Sequence, residues 1–221
     1  MCRFLLAKSK TPISPKALLD SFSSMAQKSK AYDGDWQGDG WGISWLENNQ
    51  WFTQKSLLPI WTEKNKFSHF PQTTLFVIHA RSASFPAHKN NLGFNQPFVN
   101  HPNSFVFNGF LKGVSLSSSL PGDIGAQKIW SLLRQLLNRH PPLEALDKLK
   151  EIILKNTRQV QALNIGLADQ KNIYVLNYSS KHKKYYRLHY FEDDRLKLIC
   201  SEPLSGKFIF KTLANNSVVR L

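Results

Sequence analysis

What the chain lacks narrows it before any motif is considered. No apolar run approaches the roughly 18 to 20 residues that a membrane-spanning helix requires; the longest, around Leu75 to Ile78 and Lys207 to Phe210, are short. Met1 is followed at once by Cys2 and the strand-like Arg3-Phe4-Leu5-Leu6, which leaves no room for a signal peptide. These absences point to a protein of the cytoplasm. Cysteine is scarce as well. Cys2 and Cys200 are the 2 present, and in a compartment where thiols stay reduced they are not expected to pair. Internal repeats and low-complexity segments are absent, and 221 residues with 42% hydrophobic content suffice for one core, so a single domain over 1–221 is expected.

Acidic residues are also few. Asp and Glu total 15 against 29 Lys and Arg, a formal net charge of +14. Such a surface attracts polyanions nonspecifically and in a salt-dependent way. The lysines are spread over Lys8 to Lys10, Lys28 to Lys30, Lys64 to Lys66, Lys148 to Lys155 and the densest cluster, Lys181-His182-Lys183-Lys184. That scatter suits a solvated surface better than a reader of nucleic-acid sequence.

What is present alternates between two periodicities. After a first strand, Ser14-Pro15 reads as an N-cap followed by proline at the first helical position, and Leu18, Leu19, Phe22, Met25 and Ala26 continue at helical spacing to about Lys30. Tyr32 to Gly42 is glycine-dense and predicts tight turns or close backbone approach. Ile43 to Leu46 and Trp51 to Thr53 read as strands about a turn at Glu47 to Gln50, and Ile60 to Phe70 as helical or irregular. Thr74 to Ala80 is almost continuously apolar, the pattern of a central strand covered on both faces. Ser82 to Pro102 has no periodicity and predicts a long, functional loop. Ser104 to Phe107 follows as a strand stopped by Asn108-Gly109. Helices are predicted over about Ile129 to Leu137 and Leu143 to Asn156, then strands at Ala162 to Leu167, Ile173 to Tyr178, Tyr185 to Tyr190, Leu196 to Cys200 and Lys207 to Lys211. Strands, two core helices and strands again predict an α+β fold with two antiparallel sheets and helices outside them.

Three strand ends carry polar groups suited to chemistry. Cysteine in second place is small enough to permit removal of the initiator, which would leave Cys2 with a free α-amine. That amine, with a reference pKa of about 8, can take the proton of a thiol with a reference value of about 8.5, directly or through water. The plainer reading of the same residue is a small buried side chain at the start of a strand. His79-Ala80-Arg81 closes the most apolar strand. Arg81 offers a fork suited to a carboxylate, or serves as a surface cation. Asn108-Gly109 supplies a side-chain amide and a backbone N–H that together could hold an oxyanion, or is simply a hairpin signal.

Taken in order, Met1-Cys2-Arg3-Phe4-Leu5, Asp39-Gly40-Trp41-Gly42, His79-Ala80-Arg81, Phe107-Asn108-Gly109 and Ser201-Glu202-Pro203-Leu204 resemble the motifs of the class II glutamine amidotransferases, which are N-terminal-nucleophile hydrolases. The likeness spans nearly the whole chain. It is closest to stand-alone members, predicted amidotransferases and γ-glutamyl amidohydrolases. The resemblance implies a four-layer αββα sandwich and no cofactor or metal. It implies that Cys2 is nucleophile and base, that Asn108 and Gly109 form the oxyanion hole, and that Arg81, with His79, Gly40, Trp41 and Asp123 around it, binds a γ-glutamyl substrate.

One stretch departs from the pattern. The family usually places a substrate-ammonium aspartate in the run corresponding to Gly122-Asp123-Ile124-Gly125-Ala126-Gln127, and Gly125 occupies its place here. Either Asp123 compensates, or the substrate differs from free glutamine, or the chain is a catalytically silent member whose basic surface binds a polyanion or a protein. No synthetase domain accompanies these motifs, so ammonia transfer would need a separate acceptor-activating partner. Hydrolysis needs none.

Overall fold

Four layers stack in the order helix, sheet, sheet, helix. The structure, a computed structural model, describes residues 2–83, 85–116, 119–206 and 208–221. Strand β1 (Arg3–Ile13) opens the first sheet, α1 (Lys16–Lys28) crosses its outer face, and β2 (Trp41–Glu47), β3 (Gln50–Ser56) and β4 (Thr73–Ala80) return to it. Strands β5 (Phe98–Asn100) and β6 (Asn103–Val114) begin the second sheet. Helices α2 (Gly125–Leu137) and α3 (Pro142–Lys155) cover that sheet, which β7 (Thr157–Ala168) and β8 (Ile173–Ser179) extend. A short α4 (Lys183–Tyr186) leads back to β9 (His189–Glu192), β10 (Leu196–Cys200) and β11 (Lys211–Thr212) of the first sheet, and β12 (Ser217–Arg220) ends in the second. The strand orders are β11-β9-β10-β1-β4-β2-β3 and β12-β8-β7-β6-β5.

Alternation along each strand assigns the layers. On β1 and β4, Phe4, Leu6, Leu75 and Val77 point between the sheets. Leu5, Phe76, Ile78 and Ala80 point outward against Leu18, Leu19 and Phe22 of α1. On β6, Val106 faces the inner layer, whereas Phe105 and Phe107 pack on Ile129, Trp130 and Leu133 of α2. Strand β4 lies between β1 and β2 and is apolar on both faces, as its unbroken run of apolar residues requires. Each fully buried Leu, Ile or Phe contributes about 1.5–3 kcal/mol relative to an exposed one. At the centre a Cβ on Gly166 would collide with Leu6 and Val106, so the two sheets can approach there only because β7 carries glycine.

Several expectations are corrected. Asn108-Gly109 does not stop a strand: β6 continues to Val114 because β7 pairs along its length, Asn108 opposite Asn164 and Gly109 opposite Leu163. The long loop after Arg81 contains two 3₁₀ turns and β5, which pairs with β6. Tyr185 to Tyr190 divides into the end of α4 and the start of β9, because Tyr186 is buried beneath β7 and its hydroxyl accepts from Gln161 Nε2. Of the last predicted strand, Lys207 lies outside the described residues and pairing begins only at Lys211; β12 was not anticipated. Helix α1 starts one residue late, with Pro15 in the cap position and the Ser14 hydroxyl accepting from the Lys16 amide at 3.3 Å. No helix among the described residues is long and apolar enough to cross a membrane.

Candidate active site

Cys2 immediately precedes β1 and is half-buried, its thiol donating to the Ser82 carbonyl at 3.6 Å. Antiparallel pairing explains the meeting: Arg3 lies opposite Ala80, so the residues just beyond β4 must run beside the first residue of β1. The Ser82 hydroxyl in turn donates to the Asp35 carboxylate, which joins the glycine-dense segment to the same point. Burial pushes the Cys2 thiol above its ordinary pKa, with the positive charge of Arg81 working in the opposite sense. The expected loss of Met1 concerns a residue outside those described.

The start of β1 is clamped from its other face. The Phe4 amide donates to the Ser201 hydroxyl at 3.0 Å, and the Ser201 amide donates to the Phe4 carbonyl at 3.0 Å. Arg3 is buried, with Nη2 3.1 Å from Glu202 Oε2, Nε donating to Ser29 Oγ at 2.9 Å and its guanidinium 3.8 Å from the centre of the Tyr185 ring. Ser201-Glu202 thus fixes the strand that carries Cys2.

Arg81 is 4% exposed and makes no ion pair among the described residues. Its Nη1 donates to Asn95 Oδ1 at 2.9 Å and its Nη2 to the His88 carbonyl at 2.6 Å, while its backbone amide donates to the Gly40 carbonyl at 2.8 Å. All these acceptors are neutral. Desolvation lowers the pKa of Arg81, and Asp39 supplies a more distant negative charge that is itself engaged by Lys89 at 3.1 Å. Gly40 is needed for contact geometry: at φ +114 a Cβ would collide with Asn95 Nδ2 and the Ser56 carbonyl.

Asn108 points toward the layer between the sheets, 2% exposed, and its Nδ2 has no hydrogen-bond partner among the described residues. The backbone beside it is locked by Gln96, whose Oε1 accepts from the Phe107 amide at 2.6 Å and whose Nε2 donates to the Phe107 carbonyl at 3.2 Å. A side chain at Gly109 would collide with the Ala162 carbonyl and the Phe107 ring. Cys2 shares this inner layer by alternation from Phe4, as Asn108 does from Val106.

His79 and Trp41, expected around the substrate, have their rings in the interior, whereas Asp123 is exposed. His79 is wholly enclosed between the sheets, and neither imidazole nitrogen has a hydrogen-bond partner among the described residues. Burial, with Arg81 nearby, depresses its pKa to about 3, so the ring is neutral. The Trp41 ring packs in the core beneath α1, its indole donating to Glu63 Oε2 at 2.8 Å, which leaves only its backbone beside Gly40. Asp123 is exposed, and its amide, with that of Ile124, is capped by Gln127 Oε1 at the start of α2. Gln127 Nε2 also donates to the Gly93 carbonyl at 3.3 Å, so the Asp123 to Gly125 stretch abuts the loop that holds Arg81. Gly125 is the first residue of α2, with open space where a Cβ would stand.

Sequence reading missed Ser82, Asp35, Asn95 and Gln96, all in stretches marked as turn or loop. Loop length flagged the region, but nothing local distinguishes Asn95 from Asn90 or Asn91; burial does.

No family model and no curated protein matches the sequence. Solved structures do match the fold. A glutamine aminotransferase class-II domain protein from Silicibacter pomeroyi superposes with TM-score 0.64 at 17% identity, over 99% of this chain and 94% of that one. A predicted glutamine amidotransferase from Pseudomonas aeruginosa gives 0.60 at 14%, covering 99% and 96%. The glutamine phosphoribosylpyrophosphate amidotransferase of Bacillus subtilis gives 0.62 at 14%, where 91% of this chain covers only 42% of the other. The chain therefore has the fold of the class II glutamine amidotransferases, a sandwich of the N-terminal-nucleophile type.

Proposed function

We propose that the protein is a cysteine-dependent amidohydrolase that cleaves the γ-glutamyl amide of glutamine or of a γ-glutamyl compound, after Met1 has been removed to free the Cys2 amine. The observation that carries this reading is Arg81, a buried guanidinium whose hydrogen-bond acceptors are all neutral. An unneutralised buried cation is costly, and a substrate carboxylate relieves it. In this reading the Cys2 sulfur attacks the amide carbon while its α-amine takes the thiol proton. The developing oxyanion is met by the Asn108 amide and the Gly109 N–H, each such donor contributing on the order of 3 kcal/mol. Collapse breaks the C–N bond and expels ammonia, or an amine from another γ-glutamyl compound, which leaves with the proton returned from the α-ammonium; water then attacks the thioester while the α-amine takes its proton, and cleavage of the C–S bond releases the γ-carboxylate and restores the Cys2 thiol. Transfer of the ammonia instead of its release requires a site that activates an acceptor, in a partner or elsewhere in the protein.

Intact mass tests the first step: Met1 should be absent, and a glutamine-like diazoketone should add one adduct, on Cys2. Cys2→Ala should fold and be inactive, and activity retained by that variant places the nucleophile elsewhere. Substrate choice is tested through Gly125. Without a carboxylate there to demand an ammonium partner, kcat/KM for glutamine over N-acetylglutamine should lie within about tenfold. Gly125→Asp, which has open space, should raise that ratio. A large ratio in the parent that collapses in Asp123→Asn would assign the ammonium to Asp123.

A further inference from the structure

The basic cluster Lys181-His182-Lys183-Lys184 is exposed, and its last member, Lys184, lines a concave site. That site is a groove of about 340 Å³ behind the start of β1, on the strand face opposite Cys2, lined also by Lys28 at the end of α1 and Lys30 just beyond it, all three lysines being exposed at its rim. The floor is buried and built: Arg3 is 3% exposed, Ser29 is 5% exposed, and Ser201 lies beneath them. Glu202, the one acidic lining residue, is already engaged by Arg3 at 3.1 Å and by the Ser29 hydroxyl at 2.6 Å. Arg3 and Glu202 cancel, and Lys28, Lys30 and Lys184 make no ion pair among the described residues. Three uncompensated cations therefore converge on a concave site from segments about 150 residues apart in sequence.

We propose that this groove is a second binding site, on the strand face opposite Cys2, that takes a small phosphate-bearing molecule. Phosphate fits what is there. It carries more than one negative charge, and its several acceptor oxygens can be met by the ammonium groups of Lys28, Lys30 and Lys184 and by the His189 imidazole, all of which line the groove. The volume is at the lower end of that found for small-molecule sites, which suits a phosphorylated metabolite better than an extended chain. Since Arg3 is the residue after Cys2 and its guanidinium forms the floor, an occupant would rest on the clamp that fixes the nucleophile's strand.

Isothermal titration with inorganic pyrophosphate as probe, at physiological salt, tests the site. One saturable site is expected. Lys30→Glu combined with Lys184→Glu should weaken it at least tenfold, whereas Lys128→Glu combined with Lys171→Glu, exposed lysines elsewhere that change net charge equally, should leave it within twofold. Three results overturn the proposal. Absence of saturable binding, or equal weakening by both pairs, would mean diffuse attraction and an adventitious ion only. Groove-dependent binding of a short single-stranded RNA with none of pyrophosphate would make the site one for a nucleic-acid backbone. Circular dichroism of both double variants establishes that they are folded, and if the groove pair is unfolded, Lys30→Gln with Lys184→Gln replaces it.

Discussion

Replacing Asn95 by alanine should unsettle Arg81 from a position 14 residues away in sequence. Asn95 is fully buried; its Oδ1 accepts from Arg81 Nη1 at 2.9 Å and its Nδ2 donates to the Ser56 carbonyl at 2.6 Å. The substitution removes a hydrogen bond to a charged group, about 1.5–3 kcal/mol, and deprives the partly buried Ser56 carbonyl of its donor, about 1–3 kcal/mol. Arg81 keeps the His88 carbonyl, so the lower halves of these ranges apply and the net loss should be about 3 kcal/mol. Urea unfolding followed by tryptophan fluorescence reads this directly. With a denaturant slope near 3 kcal/mol/M for a chain of this size, the midpoint should fall by about 1 M. A shift below about 0.3 M would refute the argument that Asn95 holds the guanidinium. Asn95→Asp separates stability from binding. It puts a carboxylate against Arg81, and KM for a γ-glutamyl substrate should rise about tenfold or more as the variant side chain competes with the substrate for the same cation. An unchanged KM in a folded variant would mean that Arg81 does not hold the substrate carboxylate.

Three further outcomes follow from the same geometry. His79 has its folded pKa depressed to about 3 against about 6.5 unfolded, so the unfolded state binds the extra proton and stability is lost as pH falls below about 6.5. Between pH 7.5 and pH 5 this amounts to about 2 kcal/mol, and His79→Gln should lose that part of the pH dependence in urea titrations; identical slopes would contradict it. Gly40→Ala should cost about 2 kcal/mol or more, since φ +114 and the collision with the Ser56 carbonyl both oppose it; a thermal midpoint within 1 °C of the parent would show that the turn yields. Cys200 is fully buried and its thiol is pushed upward by desolvation, whereas Cys2 is half-buried. Iodoacetamide should therefore modify Cys2 alone in the native protein and both thiols in urea, and the rate at Cys2 should climb with pH because its thiol too is held above the ordinary value. Native alkylation of Cys200 would contradict the packing of β10.

Much of this architecture is written locally. The apolar run of β4 ends in His79-Ala80-Arg81, the period of Leu18, Leu19 and Phe22 marks α1, and Cys2 beside the first strand marks the candidate nucleophile, because side-chain alternation and helical spacing depend only on near neighbours. The order of motifs along the chain was legible for the same reason. What the sequence could not decide is which polar groups end up dry. Asn108-Gly109 has the composition of a turn, and it lies inside β6 only because β7, arriving about 55 residues later, pairs across it and outweighs the local preference. His79 and Trp41 stand in motifs beside Arg81 and Gly40, yet alternation in a sheet that is covered on both faces sends their rings into the interior. Asn95, Gln96 and Ser82 became site residues through long-range contacts with Arg81, Phe107 and Cys2. The lysines tell the same story. Lys28, Lys30 and Lys184 look scattered along the chain, and the antiparallel return of β10 against β1, with α4 and β9 just before it, brings them to one groove. Local periodicity follows from bonded geometry, whereas burial, partnership and the convergence of charge are properties of packing, and those come into being only when the two sheets close on each other.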